Sequence, residues 1–516
     1  MHDHRFIDVS TNADQKSKSE TPILTRESLE ASLHCSYKAY LRTKGEEGTK
    51  TEYEIVLAEL RETLARKATE RIRAACKPDE VPSGMRVAAS VLKQGKPFIF
   101  DATVAADLGD LRLDGLKRVP GFSKLGDFHY IPLLFQPGTK VRTEHKAVLE
   151  AFGHVLTAVQ GKSPDRAVVY HGDECRATTL RLSPNLGKGR ILLDRLRELH
   201  KSPSAPQLRI NDHCPVCEFS ERCRQQAIAE GNLSLLRGLS PKELRTYAKK
   251  GIFTITQLAC TFRPRRRSKG TKPSTRHHHA LQAMAVRDNT VYVLGTPELR
   301  SAPVQVYLDV EGDPDSGHVY LIGMVIVEGT SEKRFSFWAD ERNQETQMFQ
   351  QFMAVLDHYD DFLVFCYGAY EKTFLRRMRS QVRGKKRVDR ILARLVNVLA
   401  IVYSHIYFPC YSNGLKDIGR WLGCTWAERQ ASGLQAAAWR MRWETDHSDE
   451  LKRKLCEYNL EDCDALRKLW DFIHAVIPRI SEPSGSRAVG SHNAPIVAVQ
   501  ENEKERFDWK WGQVKF

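Results

Sequence analysis

The stretch VYLDVEGDPDSGHVYLIGMVIV, residues 306–327, constrains the chain more than any other. Two apolar runs of strand character flank a short polar segment carrying four carboxylates, Asp309, Glu311, Asp313 and Asp315. Residues i and i+2 of a strand point to one face, so Asp309 and Glu311 must project together from the end of the first run. Two such neighbours repel unless a cation stands between them. Asp313 and Asp315 fall in GDPDSG, a run of turn-forming residues, and read as the turn between two strands. Any fold that accepts this stretch presents a paired acid at a strand end.

The surrounding pattern supplies further acids. From about residue 291 an α/β domain is expected: strands 304–308, 320–327 and 334–338, helix 345–357, strand 362–366, then helices to 477. Three early strands followed by alternation imply a mixed sheet flanked by helices. Strand 362–366 delivers Glu371 to the start of the next helix. Further on, EYNLEDCDALRKLW is amphipathic, and Tyr458 and Asp462, at i and i+4, share a helix face. Hard divalent cations such as Mg²⁺ or Mn²⁺ take oxygen ligands, which separate elements can pool. With two metals about 3.5 to 4 Å apart, one activates water for attack on a phosphodiester and the other stabilises the leaving oxygen. A neutral tyrosine beside them can orient the water. Glu461 and Asp464, flanking Asp462, are expected on a solvated face.

At 516 residues the chain needs several cores. Its formal net charge of +15 points to a polyanionic partner, nucleic acid foremost, with a merely soluble basic protein as the plain alternative. Residues 1–22 are polar, have no apolar signal core and read as a flexible leader. The longest apolar stretch, 396–410, is too short to span a bilayer, so no membrane association and a cytoplasmic location are expected. In that reducing setting the 12 cysteines suit packing or metal ligation rather than disulfides.

Residues 23–228 open with helical periodicity to residue 75. Strand-like segments between 86 and 170 follow, around one helix at 142–158, which makes a first α/β domain. A helix at 184–199 and the segment NDHCPVCEFSERC close it. Residues 229–262 read as two or three short helices and resemble a helix-hairpin-helix module. Residues 263–290 are a basic linker, in which Arg263, Arg265, Arg266, Arg267, Lys269 and Lys272 can follow a phosphate backbone. His277, His278 and His279 suit metal binding or plain loop polarity. Residues 291–480 form the second α/β domain, and 481–516 are an extension whose apolar end suggests a longer parent. No internal repeat is seen.

Cys214-x2-Cys217-x5-Cys223 is a compact three-thiolate set that needs a fourth ligand, for tetrahedral zinc or for an iron-sulfur cubane. His213 would complete zinc. Cys35 would complete either.

Taken in order, Asp309-x-Glu311, Glu371, Tyr458-x3-Asp462 and the segment YSNGLKDIGRWLG resemble the DEDD-type exonucleases of ribonuclease H-like fold, of the YprB-like class with a tyrosine-bearing third motif. Glu371 stands where that family usually has Asp. An early cysteine, an α/β core and C-x2-C-x5-C resemble the RecB-like PD-(D/E)XK nucleases that carry a 4Fe-4S cluster, the CRISPR-associated exonucleases among them. That resemblance makes Asp114 the first acid and expects Glu or Asp, a spacer and Lys on the strand YIPLLFQPG. Leu133, Leu134 and Phe135 stand there instead. Lys140 lies beyond, and Glu144 and Lys146 read as an exposed helix face. The first domain is therefore expected to be nuclease-like in fold and inactive, kept for DNA binding or support.

The whole chain resembles RecB-like nucleases that join a degenerate or active PD-(D/E)XK domain to a ribonuclease H-like one. The resemblance implies a divalent-metal-dependent hydrolase of phosphodiester bonds, a 3′ to 5′ exonuclease with DNA favoured over RNA. Asp309, Glu311 and Asp462 would be metal ligands, Glu371 a fourth, and Tyr458 would position water. Cys35, Cys214, Cys217 and Cys223 would hold the 4Fe-4S cluster, with structural Zn²⁺ as the alternative. A DNA repair role is expected, with any helicase or recombination partner left open. The competing reading is a nucleic-acid-binding protein in which both nuclease folds are inert.

Overall fold

The computed structural model describes residues 23–107, 109–263, 277–428, 432–481, 488–489 and 494–499. The expected leader 1–22, and Arg265, Arg266, Arg267, Lys269 and Lys272, lie outside these residues. The chain divides into two compact units, one of residues up to 46 with 61–206, the other of 47–60 with 207 onward. The C-x2-C-x5-C segment falls in the second.

The first unit is built on a seven-stranded mixed sheet. Its centre is the antiparallel pair Gly109–Ser123 and Gly126–Gln136. Alternation decides which side chains face inward: Leu111 and Leu113 are buried while Arg112 is exposed. Strand Gly126–Gln136 then pairs in parallel with Arg166–His171, and the crossover is helix Thr143–Gln160. That helix lays Val148, Leu149, Phe152 and Leu156 on the sheet and stops at Gly161, whose φ of 67° suits a residue without a Cβ.

The second unit carries a five-stranded mixed sheet of order Ser331–Trp338, Val319–Glu328, Val304–Gly312, Phe362–Cys366, Leu395–Asn397. The first three strands are antiparallel neighbours and the last three run parallel. Val304–Gly312 is thus paired on both edges. Its even residues Val306, Leu308 and Val310 join the core under helix Glu345–Leu356. Its odd residue Tyr307 joins the opposite core, which includes Phe365 and Trp470 of the 33-residue helix Asp449–Ser481. That helix is amphipathic, and Leu466, Leu469, Trp470 and Ile473 face the sheet.

Two further features complete this unit. Residues 279–288, inside the expected linker, form helix His279–Asp288, because ALQAMAV is helix-forming and buries Leu281 and Ala285 against Tyr407. Strand Val291–Leu294 pairs with Ile406–Tyr407 and with Pro495–Val499 in a small separate sheet. No helix among the described residues is long and apolar enough to cross a membrane.

Candidate metal centre

The parallel pairing of the central strand ends at Tyr307 opposite Phe365. Beyond it the two strands are no longer paired, and Asp309 and Glu311 lie at this carboxyl end, the usual ligand position in such sheets. Asp309 and Glu311 project from the central strand on the face of Tyr307. Phe362–Cys366 turns away into helix Tyr370–Gln381 and places Glu371 in its first turn. The long helix packs against the central strand and contributes Tyr458 and Asp462 from one face.

Asp309, Glu311 and Asp462 each offer an oxygen, and these atoms lie within 4.8 Å of one another, the one such grouping of His, Cys, Asp or Glu found among the described residues. Burial, then the charges of Asp462, Glu311 and Glu371, push the Asp309 carboxyl well above the usual carboxylate range. Glu311 is pushed up to about 8, by burial first and then by Asp462. Glu371 lies outside the triad yet close enough for its charge to act on both. It is 4% exposed, burial raises its pKa, and its Oε2 has no hydrogen-bond partner. Four crowded, desolvated acids with one orphaned oxygen form a donor set that suits hard divalent cations.

The surroundings hold these acids in place. Asp462 accepts from the Trp426 indole Nε1 at 2.8 Å and pairs with Lys416 Nζ at 3.3 Å. Lys416 also hydrogen-bonds the Tyr458 hydroxyl and lies 3.8 Å from that ring's centroid. Burial, followed by the charge of Glu311, keeps Tyr458 protonated far above its ordinary range. Asn459, completely buried, donates from Nδ2 to Asp309 Oδ2 at 2.5 Å. It fits there because Gly323, opposite Asp309 in the ladder, has no side chain: a Cβ would lie 2.7 Å from Asn459 Cγ.

Sequence reasoning missed Lys416, Trp426, Asn459 and Gly323. Lys416 sits inside the quoted segment YSNGLKDIGRWLG, and Asn459 follows Tyr458 directly. Gly323 interrupts the run YLIGMVIV, and a glycine within a buried strand marks a close approach.

Other candidates have different partners. Asp313 closes its own turn, accepting from the amides of Asp315 at 2.9 Å and Ser316 at 3.2 Å. Glu461 accepts from the Ala427 amide at 2.8 Å, and Asp464 pairs with Arg334 at 2.6 Å. His277 is buried, stacked 4.5 Å from Tyr403 and 4.9 Å from Tyr407. Arg263 donates to the carbonyls of Cys260 at 3.1 Å and Phe262 at 2.8 Å. Cys214 opens a short turn, and its Sγ accepts from the Asn211 amide at 3.3 Å. Cys217 and Cys223 are buried, and the Cys35 Sγ accepts from the Lys38 amide at 3.4 Å.

In the first unit, Asp114 Oδ2 accepts from the Phe135 amide at 2.9 Å and pairs with Arg26 Nη1 at 3.3 Å. Arg26 is 3% exposed and also binds Glu30 at 2.6 Å, the Phe135 carbonyl at 2.6 Å and Gln136 Oε1 at 3.0 Å. A guanidinium thus pairs with Asp114 and Glu30, an arrangement that does not fit a divalent metal.

The family model of the RNase H superfamily matches residues 306–474. The chain matches none of the curated proteins. Residues 306–474 are thus similar to the RNase H superfamily, and the acid cluster of Asp309, Glu311 and Asp462 lies within that stretch.

Proposed function

We propose that this chain is a divalent-metal-dependent nuclease that removes nucleotides from the 3′ end of DNA. The observation that carries the reading is the three-carboxylate cluster of Asp309, Glu311 and Asp462 at the carboxyl end of the central strands. Those residues would hold the metal, with Glu371 as a further ligand through its unpartnered Oε2. Divalent cations bound there would activate water and stabilise the leaving oxygen. Asn459 fixes the Asp309 carboxylate, and Trp426 fixes that of Asp462. The Tyr458 hydroxyl, kept neutral, orients the attacking water, and Lys416 holds that hydroxyl in place.

The first unit is read as an inert nuclease-like fold, supported by the Arg26 guanidinium on Asp114. The 4Fe-4S assignment of Cys35, Cys214, Cys217 and Cys223, with zinc as its alternative, rests on their spacing in the chain. Iron with acid-labile sulfide in anaerobically purified protein supports the cluster, and stoichiometric zinc supports the alternative.

One observation favours the inert binding protein: the Lys416 ammonium beside Asp462 neutralises a carboxylate of the cluster without any metal. A single assay separates the two. End-labelled single-stranded and duplex DNA and RNA are incubated with the wild type and with Asp309→Asn, in Mg²⁺ or Mn²⁺. Stepwise shortening from the 3′ end by the wild type, lost in the variant, is the expected result. Equal cleavage by both proteins sinks the assignment of this site, and binding without cleavage by either favours the inert reading.

A further inference from the structure

Between residues 371 and 394 the chain carries ten basic residues, and Asp389 is the one acid besides the buried Glu371. Five of the ten have evident structural work. Arg377 pairs with Glu345 at 2.6 Å and Arg379 with Asp389 at 2.5 Å, and Arg387 pairs with Asp357. Arg390 and Arg394 donate to the Asp360 carbonyl at 3.1 and 3.2 Å. The other five, Lys372, Arg376, Arg383, Lys385 and Lys386, are exposed and form no ion pair among the described residues.

Helix stability does not explain them. Lys372 and Arg376 are like charges at i and i+4, as are Lys386 and Arg390, and each such pair costs about 0.2–0.5 kcal/mol. Lys372, Lys385 and Lys386 also stand in the first turns of helices Tyr370–Gln381 and Lys385–Ala393, where the helix dipole disfavours cations. A solvated face gains nothing from that arrangement, whereas a polyanion laid over it neutralises all of it. The patch starts one residue from Glu371 at the acid cluster. Beside it stands Tyr370, an aromatic residue that is 46% exposed. Cations interleaved with an exposed aromatic form the pattern that binds single strands.

We propose that these two helices are the track on which a single-stranded nucleic acid lies as it enters the acid cluster. Lys372, Arg376, Arg383, Lys385 and Lys386 contact its phosphates, and Tyr370 stacks on a base near the cleaved end. The direction of entry rests on the nuclease reading of the same site. The binding surface does not.

The test is anisotropy of a fluorescein-labelled single-stranded DNA with full chain carrying Asp309→Asn, so that nothing is consumed, over a series of KCl concentrations. The track variant adds Arg376→Ala, Arg383→Ala, Lys385→Ala and Lys386→Ala. A charge-matched control instead adds Lys67→Ala, Arg73→Ala, Lys93→Ala and Lys140→Ala, all exposed residues of the first unit. Circular dichroism melts verify that both are folded. Each lost phosphate contact lowers the salt slope by about 0.7, so the track variant should lose a slope of roughly 3 and the control none. Equal loss in the two variants, or loss in neither, overturns the proposal. A duplex bound as tightly as the single strand, with the same loss, overturns the single-strand assignment.

In chain that retains Asp309, the track variant should raise KM and leave kcat unchanged. Cleavage with an unchanged KM defeats the track and leaves the nuclease reading intact. A wild type that never cleaves, with the slope difference still present, defeats the nuclease reading and leaves the track intact.

Discussion

Replacing Gly323 with alanine probes the centre without touching an acid. Gly323 faces Asp309 across the antiparallel ladder, and a new Cβ would lie 2.7 Å from Asn459 Cγ and closer still to its Oδ1. Asn459 is completely buried, so the methyl must push its amide away from Asp309. Overpacking of this kind costs about 1–3 kcal/mol, and a hydrogen bond to a charged acceptor contributes about 1.5–3 kcal/mol. One movement causes both losses, so they do not add. Removing a glycine from a strand returns about 0.5–1 kcal/mol, which leaves a net destabilisation of roughly 2 kcal/mol. Urea denaturation in chelator reads that loss, and calorimetric titration with Mn²⁺ should show weaker binding. The companion variant Asn459→Ala vacates the space, so Gly323→Ala should cost little in that background. Wild-type stability and Mn²⁺ affinity in Gly323→Ala, or a full loss that persists without Asn459, would refute the reasoning.

Asp309→Asn should melt higher than the wild type in chelator, because it removes one of several repelling carboxylates, by roughly 2–4 °C for each kcal/mol relieved. The same variant should lose the stabilisation that Mn²⁺ gives the wild type, and a thermal melt with and without Mn²⁺ reads both. Lys416→Met should destabilise the metal-free protein by about 3–5 kcal/mol, since the buried Asp462 loses its cation, and saturating Mn²⁺ should restore part of that; no recovery means that Lys416 does not neutralise the cluster. Burial alone would raise the Glu345 pKa, but bonds from His318, Arg377 and the Val319 amide outweigh it and hold the group down to about 2 from 4.5. That stabilisation is present above pH 4.5 and is lost as the pH falls towards about 2, up to roughly 3 kcal/mol in all. Urea midpoints between pH 5 and 3 should fall more steeply for the wild type than for Glu345→Gln, and parallel slopes would defeat the assignment.

The ribonuclease H-like sheet was legible because its strands are long, apolar and separated by strong turns. The expected strand 362–366 is found as Phe362–Cys366, and the i, i+2 rule placed Asp309 and Glu311 on one face. Tyr458 and Asp462 followed from helical spacing. Lys416, Trp426 and Asn459 were hidden because their role depends on packing between elements distant in the chain. The basic helices after Glu371 were visible as letters, but a charge run gains meaning only once its neighbours are known to be an acid cluster and an exposed tyrosine. The helix at His279–Asp288 was obscured by the basic, proline-containing stretch before it.

The double-edged pairing of Val304–Gly312 sets an order in which the centre comes apart. A strand hydrogen-bonded on both sides opens only when the sheet itself opens, so the amides of Val306 and Tyr307 should exchange with deuterium near the global rate. Lys416 stands on the seven-residue helix Leu415–Trp421, and Trp426 on the loop after it, where opening is local. The clamp on Asp462 should therefore loosen on a faster clock than the acids of the central strand, and exchange at the amides of Lys416 and Trp426 ahead of Tyr307 would show it.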